Sequence, residues 1–432
     1  MKTFGVGILG FGTVGAGVVE GLQRNGKLLA SRTGLQLALR RVADLDVETD
    51  RGVAVADGVL TRDAAAVVDD PRVDIVVELI GGTTVARALT LRALAAGKPV
   101  VTANKALLAE HGAEIFAAAQ AGQADLYYEA SVAGGIPVIR ALREGLIANH
   151  IEAIYGILNG TCNYILTEME RRGEPFDVIL AEAQAQGYAE ANPALDIDGV
   201  DTAHKAAILA GLAYGAPVPL AEIGVEGIRD VELADLLDVR ALGYRLKLLA
   251  IIRHSPVGQE VSVQPALVPS EHMLGKVDGV FNALLVRGDV AGETLYYGRG
   301  AGRLPTASAV LSDLADVARN LAFGARQRVP AFVPHTHYGK PRRGKHALAR
   351  FYLRMNLPDQ PGTLAKVAEV MGQHGISLAS VRQRETDGQW ARILFLTHPA
   401  VESAVMAAIT ELRRDGKIGP QVARYRIADL MA

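Results

Sequence analysis

The sequence predicts an α/β protein that opens with a doubly wound parallel sheet and closes with a small βαββαβ unit. Three observations predict it. A glycine-rich turn, Gly10-Phe11-Gly12-Thr13-Val14-Gly15, sits between an apolar run and a helical pattern. Apolar runs and helical patterns then alternate as far as Tyr128, and strand-like and helix-like segments follow the order βαββαβ after Arg350. At 432 residues the chain exceeds the size at which one core stops growing, so two or three domains are expected.

Thr3 to Leu9 reads as a strand, and Val14 to Leu29 has helix-like apolar spacing, so the turn between them is a strand-to-helix turn. Each glycine has its own reason there: Gly10 for the bend, Gly12 for close approach of backbone to a pyrophosphate, Gly15 for packing helix on strand. The same turn can also be a plain structural bend. Leu35 to Ala43 is a second strand ending at Asp44, where an acidic side chain commonly binds an adenosine ribose, which favours NAD. Arg40, Arg41 and Arg51 lie close by and could balance a 2′-phosphate, as NADP requires, or form a solvated basic strand end.

Val73 to Ile80 reads as a buried parallel strand broken by Gly81-Gly82-Thr83. A helix through Ala95, a strand at Pro99 to Thr102, a helix after Asn104 and a strand at Asp125 to Tyr128 continue the alternation. Ligands of such sheets bind at the carboxyl ends of strands, where Gly81 and Lys105 fall. Lys105 can be a surface lysine, but a cation opening a helix gains nothing from the helix dipole.

From Glu129 the run Ala-Ser-Val-Ala-Gly-Gly-Ile-Pro suits tight packing, a domain crossover or a bound ion. Polar groups crowd beside apolar runs at 156–165, 187–190 and 196–205, the composition of a lined pocket. A helix starting near Gly199 places Asp201 and Lys205 at i and i+4, acid first, which suits a surface ion pair equally well. His204 is expected to point elsewhere and to be structural. Reduction of an aldehyde leaves an alkoxide that must be protonated or held by positive charge, and a lysine can do both. Neither HExxH nor CxxC occurs, so no catalytic zinc is expected.

Half the residues are apolar, and the net charge of −2 gives no electrostatic reason to expect nucleic acid. Partners are expected to be small molecules or copies of the chain. The single cysteine, Cys162, points to a reducing compartment and reads as a small packed residue. With no run of 18 apolar residues and no charged leader with an apolar stretch, the protein is read as cytoplasmic, away from any membrane.

Blocks spread over the whole length are similar to those of the homoserine dehydrogenases: GFGTVG at Gly10, ELIGG at Glu78, VTANK at Val101, EASVAGGIPVI at Glu129, GILNGTCNYIL at Gly156, GYAEANPALDIDGVDTAHK at Gly187 and GRGAGRLPTASAV at Gly298. The resemblance implies a Rossmann-type domain over 1–130 with a returning helix near 305–325, an α+β substrate-binding and dimerisation domain over 131–304, and a homodimer or homotetramer. It implies interconversion of L-aspartate 4-semialdehyde and L-homoserine with NAD or NADP. Carried over by position, Lys205 resembles the proton donor, Lys105 a second lysine reaching substrate and nicotinamide, and Asp201 the carboxylate that orients Lys205. Glu190 resembles the receiver of the substrate ammonium, with Asp196 beside it. The backbone of Glu129, Val132, Gly134 and Ile136 resembles a sodium loop, and Thr13, Val14 and the turn ending at Gly302 resemble cofactor contacts. Cys162 stands where the family more often has threonine, Asn192 where aspartate is frequent, and Ala43 where many relatives carry arginine.

Residues 330–349 contain three prolines, His335, His337 and a basic cluster at Lys340, Arg342, Arg343 and Lys345, and read as a linker. Residues 350–432 form the ferredoxin-like unit, in which Asp359-Gln-Pro-Gly-Thr-Leu and Gly375-Ile-Ser-Leu resemble an ACT domain. That implies amino-acid regulation, with L-threonine the effector by analogy. Removal of 346–432 is then expected to leave catalysis and abolish inhibition. A reductase for another amino aldehyde and a sensor that has lost turnover are the alternatives.

Overall fold

A computed structural model describes all residues except 256–257, 336–340, 343–346, 385–388, 429 and 431–432. His337, Lys340, Arg343 and Lys345 therefore lie outside the described residues. The first part is a six-stranded parallel sheet. Its strands are β1 (Lys2–Leu9), β2 (Leu35–Ala43), β3 (Leu60–Thr61), β4 (Ile75–Glu78), β5 (Val100–Thr102) and β6 (Leu126–Tyr127). Helices α1 (Thr13–Thr33), α2 (Ala64–Asp69), α3 (Val85–Ala95) and α4 (Lys105–Ala121) connect them. The strand order β3-β2-β1-β4-β5-β6 reverses between β1 and β4, the switch point at which doubly wound sheets bind ligands. The sequence reading did not foresee β3 and α2, whose two and six residues are too short to carry a period.

A helix at Arg303–Phe323 returns to this sheet and packs along α1, its Val310, Leu314 and Val317 sharing a core with Val6, Ile8 and Val77. Close approach needs small residues on α1. A Cβ on Gly17 would lie 2.6 Å from the Arg303 carbonyl oxygen.

The rest of the chain is organised around a twelve-stranded sheet. Its middle-region strands run in the order Gly292–Arg299, Phe281–Gly288, Ile151–Ile157, Tyr244–Ser255, Gly258–Pro269. Helices Gly160–Arg172 and Val200–Tyr214 pack on it, and the second also lies along α4. The order continues without a break into Val422–Ile427, Leu348–Pro358, Trp390–Thr397 and Leu378–Arg384, with Ala266 paired to Arg426 and Leu267 to Ile427. Helices Thr363–Gln373 and Glu402–Arg414 cover one face of this last part. These elements give the expected βαββαβ order.

The other face of that unit is buried against the middle region. Arg354 donates to both oxygens of Asp235, at 2.6 and 2.9 Å, and Asp235 is fully buried on the helix Leu233–Ala241. Tyr352, Tyr425 and Leu394 join the same core as Leu236 and Val239. Cutting at 346 would remove four strands from the end of this sheet and take from Asp235 its Arg354 partner, so the truncation on which the expectation of retained catalysis rests would uncover a buried face of the middle region. Long-range strand pairing of this kind leaves no local signal in a sequence.

The segment read as a linker begins strapped to the surface. Tyr128 donates to the Ala331 carbonyl at 2.6 Å, Arg143 donates to those of Val329 and Pro330, and Phe332 stacks on Phe116.

Candidate active site

Helix α4 and the helix Val200–Tyr214 lie side by side with their N-termini together, and this brings the two lysines to one place. Lys105 opens α4, with Asn104 capping it by accepting from the Leu107 amide at 3.0 Å. Its ammonium lies 3.0 Å from Asp201 Oδ1. Lys205 Nζ donates to Asp201 Oδ2 at 2.7 Å and to the Leu158 carbonyl at 2.7 Å. One carboxylate therefore holds two ammonium groups from segments a hundred residues apart. The lysines differ in access: the Lys205 side chain is 11% exposed and that of Lys105 41%.

Burial works to raise the Asp201 carboxyl, but the two ammonium groups and hydrogen bonds from Lys205 and Asn159 outweigh it and hold the group below the usual carboxylate range. Asn159 Nδ2 donates to Asp201 Oδ2 at 3.0 Å and to Asp196 Oδ1 at 2.8 Å, tying the two acids together. Burial raises the Asp196 carboxyl, and the Asn159 bond only partly offsets this. Bringing a cation to Asp196 would favour its ionised form.

A cleft of about 380 Å³ runs past these groups. Val14, Gly81, Lys105, Glu190, Asp196 and Asp201 are among the residues that line it, so the glycine turn and the Lys105–Asp201 pair open on one space, with Lys205 behind Asp201. His204 also lines it, half-buried and 3.9 Å from Glu110. That corrects the expectation that His204 points elsewhere: the flank of its helix beside Asp201 packs on α4 and faces the cleft edge. Burial lowers its imidazole pKa, with Glu110 and Asp201 working against the shift.

The cofactor side of the cleft is shaped by the strand ends. Gly10 has φ 99°, and a Cβ there would meet the Leu79 carbonyl oxygen at 2.5 Å. A Cβ on Gly15 would lie 2.1 Å from the Gly10 carbonyl, whereas one on Gly12 would meet nothing within 4 Å. Gly12 is the N-cap of α1 without a side-chain cap, and no acidic residue stands in the first turn, with Thr13 its first residue. Free amides at a positive helix end, with open space before them, fit a pyrophosphate. Buried Glu78 joins the loops on either side: it accepts from Thr102 Oγ1 at 2.7 Å and from the Ile80 amide at 2.9 Å, and burial raises its carboxyl. Gly302, with φ 120°, precedes the returning helix.

Asp44 stands beside the glycine turn and accepts from the Phe11 amide at 2.5 Å. Arg41 does not reach this place, a correction to the sequence reading. Its guanidinium lies 3.0 Å from Asp70 and donates to the Gly58 carbonyl, because strand side chains alternate and Arg41 projects to the face opposite Asp44. Arg51 is paired with Asp46 at 2.8 Å.

Asn159, Asn104 and Glu78 were not singled out by sequence reasoning, although Asn159 and Asn104 both precede helical runs and carry an N-cap signature. Cys162 is buried, and desolvation raises its thiol, as a packed residue requires. Glu129, Val132, Gly134 and Ile136 form a buried turn in which Ala133 and Gly134 both have positive φ, 56° and 51°. Among the described residues no cluster of three or more His, Cys, Asp or Glu side chains could hold a metal, and no helix is long and apolar enough to cross a membrane.

Three family models match the chain: "Homoserine dehydrogenase, NAD binding domain" over 10–129, "Homoserine dehydrogenase" over 137–315, and "ACT domain" over 351–416. A homoserine dehydrogenase of Pseudomonas aeruginosa is 44% identical over the full length of both chains, and one of Neisseria gonorrhoeae is 42% identical over 95% of each. The crystal structure of a homoserine dehydrogenase from Thiobacillus denitrificans matches at 44% identity with a TM-score of 0.95, covering 100% of this chain and 99% of that one. A hyperthermophilic archaeal homoserine dehydrogenase in complex with NADPH covers 73% of this chain and 98% of its own, at 29% identity and a TM-score of 0.63. With a dinucleotide-binding sheet, a lysine pair sharing one carboxylate beside its strand ends and full-length kinship of this kind, the chain belongs to the homoserine dehydrogenase family, NAD(P)-dependent oxidoreductases that interconvert L-homoserine and L-aspartate 4-semialdehyde.

Proposed function

We propose that Lys205 protonates the substrate oxygen, that Asp201 orients Lys205, and that Lys105 stabilises the same oxygen from the cofactor side. The observation that carries this reading is the shared carboxylate, with Lys205 and Lys105 at 2.7 and 3.0 Å on its two oxygens beside the glycine turn. A bound nicotinamide supplies the hydride on reduction and takes it on oxidation. In the reductive direction the Lys205 ammonium gives a proton to the nascent alkoxide, and Asp201 retains the lysine in place while its charge changes. The charge of Lys105 stabilises the alkoxide before that transfer. Glu190 and Asp196, both on the cleft wall, receive the substrate ammonium. Two helix N-termini aimed at one cleft add positive potential for the substrate carboxylate.

Gly10, Gly12, Thr13, Val14, Gly15, Gly81 and Gly302 serve the dinucleotide, with Asp44 at the ribose. The backbone of Glu129, Val132, Gly134 and Ile136 serves a sodium ion. The strained left-handed turn at Ala133 and Gly134 supports this, since such strain persists where the surroundings demand it, and each carbonyl keeps a second lone pair. The ACT domain binds an amino acid, L-threonine by family analogy, in a homodimer or homotetramer. The single cysteine, which can form no intramolecular disulfide, supports a cytoplasmic setting.

Initial rates of oxidation of L-homoserine and its chain-length analogues, with NAD and with NADP and with and without L-threonine, test the reading. Strong preference for the four-carbon substrate and inhibition by threonine are expected. Equal rates on the five-carbon analogue would move the assignment to another amino aldehyde.

A further inference from the structure

The short segment Gly224–Arg229 is held from both sides, by the ACT region and by the turn that opens the catalytic helix. On one side Arg424, in the strand Val422–Ile427, donates to Glu226 Oε2 at 2.7 Å. The same guanidinium donates to Glu402 at 2.6 Å, the first residue of the ACT helix Glu402–Arg414, so it bridges that helix to Glu226. Backbone pairing fixes the segment to the middle sheet: Val225 pairs with Val263, and the Glu226 amide donates to the Val263 carbonyl at 2.8 Å.

On the other side the segment is pressed on residues 197–199. A Cβ on Gly227 would lie 2.1 Å from the Ile197 carbonyl oxygen, which also accepts from the Ile228 amide at 2.7 Å. Arg229 donates to both oxygens of Asp198, at 2.9 and 3.0 Å. Val225 Cγ1 is 3.1 Å from where a Cβ of Gly199 would stand. Asp196 immediately precedes this turn and Asp201 follows it by two residues, and both hang on the single amide of Asn159. The contacts from 225–229 to 197–199 are therefore direct, and the two acids flank the segment they touch.

We propose that Glu226 is a positioning residue for the substrate side of the active site, and that Arg424 delivers to it the state of the ACT region. The consequence is a specific kinetic signature. Loosening the ion pair shifts Asp196 and the start of the Asp201 helix but leaves the glycine turn alone, so homoserine binding changes while dinucleotide binding does not.

The inference rests on the assignment of Asp196, Asp201 and Lys205 to the reaction, and the two can fail separately. The test uses the full chain, with KM for L-homoserine, KM for the dinucleotide and kcat measured for wild type, Glu226→Gln, Arg424→Met, Arg424→Lys, their Gln/Met double variant and Lys205→Ala. We expect KM for homoserine to rise at least threefold in Glu226→Gln and Arg424→Met, with KM for the dinucleotide within twofold of wild type. The double variant should be no worse than the worse single variant, and Arg424→Lys should recover most of the loss. The proposal is overturned if homoserine KM stays within twofold in Arg424→Met, if the effects of the single variants multiply, or if both KM values move together. Should Glu226→Gln fold poorly, the Met and Lys variants at 424 decide alone. Lys205→Ala running at the wild-type rate would instead remove the active-site assignment itself.

Discussion

The middle sheet meets its two neighbours through junctions of opposite construction. Toward the dinucleotide-binding sheet α4 packs along the helix Val200–Tyr214, and beside that contact a cleft of about 380 Å³ stays open with the Lys105–Asp201 pair on its wall. Toward the ACT region the strands run on as one sheet, and the seam is closed by Arg354 on Asp235 and by Arg392 on Asp238 at 2.6 Å. Both junctions use buried carboxylates with cationic partners, yet in the first Lys105 and Asp201 face an open cleft and in the second Arg354 and Asp235 are closed off. The same pairing chemistry can therefore line an open cleft or seal a seam, according to what lies beside it.

The largest effect should come from the open junction. Lys205→Ala is expected to lower turnover by about 10²- to 10⁴-fold, the range for loss of a general acid, with dinucleotide binding by fluorescence titration nearly unchanged. Wild-type turnover in that variant would erase the contrast. At the closed junction Asp235→Ala should destabilise the protein by up to about 3–5 kcal/mol in urea denaturation, because it removes the buried two-oxygen partner of Arg354 and leaves that charge only Glu232, at 3.0 Å. A loss below about 1 kcal/mol, the value of a surface pair, would mean the seam is wet.

Asp313 sharpens the comparison through pH. It lies under the crossover between the first two regions, where its Oδ2 accepts from the Glu129 amide at 2.9 Å. Burial, then the charge of Glu129, pushes its carboxyl up to about 8. A raised carboxyl favours the folded state while protonated, so its contribution is full below the ordinary carboxylate range and is lost as pH rises through about 8. Asp201 runs the other way, since its depressed carboxyl favours folding above the ordinary range and loses that effect in acid. Asp313→Asn should therefore melt higher than wild type at pH 8.5 and no higher at pH 4, by calorimetry at both values. The smallest effect is expected at Arg41→Ala, which should leave the NAD/NADP preference unchanged in steady-state kinetics because the guanidinium is committed to Asp70.

Much of the first junction was legible because its signals are local. The glycine turn, the strand ends and the i, i+4 spacing of Asp201 and Lys205 each lie within a few residues, and the structure places the last pair at 2.7 Å. Arg41 was misjudged because its partner Asp70 is 29 residues away on another element. His204 was misjudged because spacing on one helix says which side chains share a face, and does not say what that face meets. The fusion of the ACT strands to the middle sheet was invisible for a related reason. Strand pairing between residues 266 and 426 depends on register across the whole fold, while each strand alone reads the same whether its edge is covered or free.

The ammonium of Lys205 has three hydrogens, of which one is engaged by Asp201 and one by the Leu158 peptide oxygen. Tetrahedral geometry then leaves a single direction for the third. In the role proposed for this lysine, an aldehyde oxygen must lie on that line, and with the far end of the substrate held at Glu190 and Asp196 only one side of the flat carbonyl group can look toward the reductant. The two hydrogens on the terminal carbon of the alcohol product would thus have different origins, and an isotopically marked reductant would label one of them alone.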